Sequence, residues 1–183
     1  MNGIIARLRN GAGLTCKKSI GTVALAGCVL GMSVSSALAA NDQDRSFLTQ
    51  AMQDNVDLRS LADLAAKHIN DPRIKQFARD IAQRSSAFDS HIAGEARTEA
   101  AKQPSALSLR ASDQYGRIQA QSGRDAADEF LRDIAIDARI SQDDYNAEAQ
   151  SGATPMLKRL ASSRATELEH IARQADSLRG PSH

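Results

Sequence analysis

From Asp44 to Leu178 the apolar residues return every three or four positions along four long stretches, and helical spacing puts residues so placed on one face. In the first stretch, about 44–68, Phe47, Ala51, Leu58, Leu61, Ala62 and Ala65 share a stripe. The second, about 72–100, aligns Ile74, Phe77, Ala78, Ile81, Phe88 and Ile92. The third, about 125–150, presents Ala127, Phe130, Leu131, Ile134, Ala138, Tyr145 and Ala149. The last, about 155–178, presents Leu157, Leu160, Ala161, Leu168, Ile171, Ala172, Ala175 and Leu178. A shorter amphipathic piece around Ser112 to Gln121 carries Tyr115 and Ile118. No stretch sustains the period-two alternation of a strand.

Turn residues separate these stretches. Asn70-Asp71-Pro72 and Thr154-Pro155 each set a capping residue before a proline in the first turn. Pro104 and Gly123 interrupt the middle, and Gly180-Pro181 stops the last helix. With no Trp, 4 Phe and 2 Tyr, the core must come from Leu, Ile and Ala, and the small side chains favour close helix approach. The expectation is an all-α four-helix bundle with a short extra helix in the middle connection.

The amino-terminal 39 residues follow other rules. Arg7, Arg9, Lys17 and Lys18 form a positive region without a single acid, and Ser19 to Val34 is uncharged and mostly apolar. Small residues follow at Ala37 and Ala39, the A-x-A form of a secretory cleavage site, so cleavage is expected between Ala39 and Ala40. The apolar run is shorter than the ~20 residues of a spanning helix, so no transmembrane segment is expected in the mature chain. Leu25-Ala26-Gly27-Cys28 offers a second processing site, at which Cys28 would carry lipid and anchor the domain to a membrane. Both cysteines, Cys16 and Cys28, precede Ala40, so the mature chain has no thiol chemistry. Removing four cations from 23 leaves 19 against 22 acids, a net charge of −3, which argues against nucleic acid as a partner.

Two runs resemble a known family. Leu61-Ala62-Asp63-Leu64-Ala65 and Asn70-Asp71-Pro72-Arg73-Ile74-Lys75-Gln76-Phe77-Ala78, with Phe130-Leu131 and Leu168-Glu169-His170-Ile171, are similar to motifs of exported bacterial domains of unknown function. Members are often labelled predicted outer membrane proteins. The resemblance spans roughly residues 44–179 and implies a ferritin-like bundle outside the cytoplasm. Members carry inward polar residues: a Glu in the first helix, a His in the second and third, and a Glu-His pair in the fourth. In register this chain has Leu58, Ser85, Ala138 and Glu169-His170.

A di-iron site needs carboxylate bridges and imidazoles from several helices. Glu167-Leu168-Glu169-His170 supplies one Glu-x-x-His spacing, so Glu167, Glu169 and His170 are the metal candidates, with surface ion pairs as the plainer reading. His68 closes the first helix, where a cation is favourable; His91 and His183 have no second ligand at helical spacing. Asp133, Asp137, Asp144 and Glu148 line one flank of the third helix and read as a solvated face paired with Arg132, Arg139 or Lys158-Arg159. Asp54 and Arg164 fall on apolar faces with opposite charge and could satisfy each other. No nucleophile elbow or phosphate loop occurs.

The expected protein is therefore periplasmic, with outer-membrane association open, and acts without cofactor by binding an envelope protein or a second copy of itself. A metal-binding or oxidative protein using Glu167, Glu169 and His170 is the alternative. Small side chains at the bundle centre also leave room for a lipid or small hydrophobe.

Overall fold

The computed structural model describes residues 33–180, with side chains from Asp42 onward. Five α-helices follow one another: α1 (Ser33–His68), α2 (Pro72–Thr98), α3 (Leu109–Ala120), α4 (Gly123–Ser151) and α5 (Pro155–Arg179). There is no strand among the described residues. Arg7, Arg9, Lys17, Lys18 and Cys28 lie outside them.

The caps explain most boundaries. Asp71 accepts the backbone N–H groups of Arg73 at 2.8 Å and Ile74 at 3.3 Å, and Pro72 needs no donor in the first turn of α2. Thr154 caps α5 through the Leu157 N–H at 3.1 Å, followed by Pro155. Ser108 accepts the Ala111 N–H at 3.1 Å, so α3 starts at Leu109 rather than near Ser112. Ser122 makes no capping bond with its side chain; α4 instead opens on Gly123 at φ +59°, a left-handed conformation that glycine enters without strain. Gly180 at φ +74° ends α5 in the same way. At the start of α1 the sequence reading falls short: the helix begins at Ser33, not near Asp44. Ala37, Ala39 and Ala40 are strong helix formers and no Gly or Pro interrupts them, so the span of α1 includes the Ala39–Ala40 bond.

α1 packs along α2 and α4 along α5, and α1 meets α4 while α2 meets α5, so the two pairs face each other across one core. Leu48, Leu61, Ile81, Phe130, Ile134 and Leu157 are fully buried there. The few aromatics meet edge to face, Phe77 with Phe130 at 6.3 Å and Tyr145 with Phe47 at 5.1 Å and Phe88 at 5.9 Å.

The connection between α2 and α3 is laid along α1 by a polar ladder. Thr49 accepts the Lys102 N–H at 3.2 Å, Gln53 donates to the Ala106 carbonyl at 3.0 Å, and Asp57 accepts the Ser108 N–H at 3.0 Å. The three side chains stand four residues apart, hence on one face of α1. Their spacing delivers α3 to the flank of α4, where it meets both α1 and α4.

Candidate functional site

α3 does not close against its neighbours completely. A cleft of about 280 Å³ remains between α1, α3 and α4, with Arg164 and Leu168 of α5 among its lining residues. It holds far more than one water, and is just below the ~300–1,000 Å³ of common ligand pockets. Leu58, Ala138, Ile140 and Leu168 supply its apolar lining. Its charged residues are Asp54, Asp57, Asp137, Asp144, Arg110 and Arg164.

Asp54 accepts hydrogen bonds from Gln50 Nε2 at 2.7 Å and Ser141 Oγ at 3.0 Å. Burial pushes its carboxyl above the ordinary range; those two bonds oppose the shift, and nearby Asp144 and Asp57 add to it. Asp57 holds Gln53 at 2.9 Å and the Ser108 backbone. Asp137 pairs with Arg110 and accepts Gln114 Nε2 at 2.8 Å, and burial still raises its carboxyl. Gln114 is 3% exposed, and its Oε1 has no hydrogen-bond partner.

Beside the cleft is a buried polar hub. Arg164, 2% exposed, donates to Glu167 Oε2 and Asn55 Oδ1, both at 2.7 Å, and to Ser85 Oγ at 3.5 Å. Its guanidinium also lies 4.6 Å from the centre of the Phe88 ring. Asn55 in turn donates to the Ser85 carbonyl at 2.9 Å and Asp89 at 2.5 Å, and Arg59 meets Asp89 at 2.6 Å. The hub joins α1, α2 and α5. Asp54 and Arg164 therefore both matter but do not pair: one residue, about 100° around the helix, separates Asp54 from Asn55, and it is Asn55 that reaches the guanidinium. The overlooked signal was the spacing Ala51, Asn55, Leu58, Ala62, which sets an amide inside the apolar stripe.

The acidic flank of α4 is also different from the sequence reading. Glu129, Asp133 and Glu148 are buried, and Asp144 stays exposed. α3 covers the flank: Arg117 meets Glu129 at 2.6 Å and Asp133 at 2.8 Å, and Arg110 meets Asp137. The Arg117 hydrogen bond is the main reason the Glu129 carboxyl lies below its usual range. Of the expected cationic partners only Arg132 joins this group; Arg139 pairs with Asp176 and Lys158 donates to the Gln150 carbonyl. Glu148, 3% exposed, sits by buried Asp44, whose Oδ1 takes the Ala153 N–H at 3.1 Å. Burial first, then Asp44, raises the Glu148 carboxyl.

The metal candidates point three ways. Glu167 contacts Arg164 at 2.7 Å and Arg84 at 3.9 Å, Glu169 meets Arg173 at 2.6 Å on the surface, and His170 is exposed. Arg164 donates to Glu167 Oε2, and the Arg84 guanidinium stands near Oε1 as a second cation. Among the described residues no group of three His, Cys, Asp or Glu stands together as a ligand set. His68 bonds the Gln121 carbonyl through Nε2 at 2.7 Å, and His91 is exposed. At the register positions where the resembling family carries inward polar groups, Leu58 and Ala138 line the cleft and Ser85 joins the hub. No described helix is long and apolar enough to cross a membrane.

The sequence model of a family described as Domain of unknown function (DUF4142) matches residues 30–178. No curated protein and no solved structure matches the chain.

Proposed function

Because the chain belongs to the DUF4142 family of domains of unknown function, we propose that it is an exported ferritin-like four-helix bundle that acts by binding, with the cleft between α1, α3 and α4 as its site. Export is supported by the order of cations, apolar run and A-x-A ahead of Ala40. The bundle is supported by two antiparallel-type helix pairs sharing one core, with α3 carried on the connection between them. The periplasm, an envelope partner and anchorage through Cys28 are parts of the same reading.

The cleft is the observation that carries it. Its walls come mainly from α1, α3 and α4, and its floor is braced by the Arg164 hub, so it is formed before any ligand arrives. The lining residues include no His or Cys, and the Ser141 hydroxyl is engaged with Asp54.

Expression of the full chain in a bacterial host, followed by fractionation and native mass spectrometry, tests the proposal. The protein should be found in the periplasm with Ala40 at its amino terminus, or with a lipid-bearing Cys28 in the membrane fraction. It should carry a non-covalent companion that the cleft-filling variant Ala138→Phe lacks. Intact Met1 in the cytoplasm would refute export, and identical spectra for the two forms would refute the cleft.

A further inference from the structure

The cleft is unusually one-sided in its hydrogen-bonding chemistry. Its two cations are already matched: Arg110 by Asp137, and Arg164 by Glu167 and Asn55. Three of its carboxylates, Asp54, Asp57 and Asp144, have no ion-pair partner among the described residues. An acidic cluster alone is commonly just a wet surface. Gln114 supplies a second, independent indication. Its Nε2 is committed to the Asp137 carboxylate, an acceptor, which fixes the amide orientation and leaves Oε1 as the free end. That oxygen is buried and has no donor, on a side chain that is among the cleft's lining. Leaving a buried acceptor unmade is costly, and the few native exceptions call for a reason. What the cleft lacks is a donor with positive charge, and its apolar residues offer a surface for a short alkyl body.

We propose that the cleft binds a small alkylammonium compound, its charged nitrogen held by the Asp54 carboxylate and Gln114 Oε1, its carbon chain against Leu58, Ala138 and Ile140. The proposal rests on the reading of the cleft as a binding site. An ammonium group brings three donors and one charge, enough to serve both oxygens. Asp57 and Asp144 offer a place for a second ammonium, so a diamine fits better than a monoamine. A carboxylate or phosphate ligand would meet acceptors of its own sign.

The test is a titration of the full chain with 1,4-diaminobutane and, separately, with 1,4-butanediol, a neutral compound of the same length, followed by amide NMR. The diamine should shift resonances of α1, α3 and α4 around the cleft saturably, and the diol should leave them unmoved. Asp54→Asn should weaken diamine binding at least tenfold, while Asp63→Asn, an exposed carboxylate outside the cleft, should change it less than twofold. Equal binding of diol and diamine would overturn the ammonium proposal while sparing the cleft. Binding of neither would overturn both. Equal loss in the two Asp variants would reduce the effect to diffuse charge and overturn the proposal as well. The wild-type comparison of diamine and diol decides the matter even if Asp54→Asn folds poorly.

Discussion

Arg164 and Glu148 show how differently two buried ionisable groups can be accommodated. Arg164 is buried with its charge met by Glu167 and its donors taken up by Asn55 and Ser85. Removing one member of such a set strands the others, so Arg164→Met should cost about 3 kcal/mol in urea unfolding. A loss under ~0.5 kcal/mol would place the guanidinium in water instead, where ion pairs are worth little. Glu148 has no such partner. Burial and Asp44 raise its carboxyl above its value in the unfolded chain, so the native state holds a proton that the unfolded chain has released. Native stability therefore falls as pH rises from about that value to the folded one, and is flat beyond it. Glu148→Gln removes the titration. Its stability advantage over the wild type should be least in acid and grow as pH rises above the ordinary glutamate range, read as the difference in Tm across a pH series. A difference independent of pH would contradict the burial of this carboxyl. Neither arrangement was legible in the sequence, because a residue's stripe position says which way it points but not which neighbour arrives there.

The elements were far more legible. Apolar stripes and capping residues gave all four long helices and the short one, because their signals are local: Asp71 with Pro72, Thr154 with Pro155, Gly180 after the last turn. The extension of α1 to Ser33 was missed because composition, not punctuation, sets its limit, whereas the start of α3 at Leu109 is set by the Ser108 cap, a local signal that was passed over. What covered the acidic flank of α4 could have been read from α3 itself. Arg110, Gln114 and Arg117 recur at helical spacing and form a basic, hydrogen-bonding face facing an acidic one. Three substitutions test the elements. Thr154→Ala deletes the α5 cap and should cost ~1 kcal/mol. Gly123→Ala meets no neighbouring atom, yet should cost about 1 kcal/mol because φ +59° strains any residue with a Cβ. Gly116→Ala, exposed in the middle of α3 with open space around it, should instead stabilise by roughly 0.5–1 kcal/mol. Thermal melts of the three variants give the signs, and a neutral Gly123→Ala would mean that α4 starts without the left-handed residue.

At the scale of the molecule, one core links both helix pairs, and the Arg164 hub ties α1 and α2 to α5 through that core. Unfolding should therefore be a single transition, with far-ultraviolet dichroism and the fluorescence of buried Tyr145 changing together; separate midpoints would mean that the pairs unfold independently. α3 is bound differently from the rest. Ala111 and Ile118 are buried and Tyr115 packs against the core, but much of its attachment is polar: Arg110, Gln114 and Arg117 to α4, and the ladder on α1 behind it. It is the wall of the cleft that an occupant would steady. Amide hydrogen exchange of the protein as purified, compared with the same protein after unfolding and refolding to strip any companion, reads this directly. Slower exchange in α3 and in the middle of α1 before stripping, with α5 unchanged, is the predicted result. Identical exchange in both preparations, or a uniform change over all five helices, would contradict a ligand seated between α1, α3 and α4.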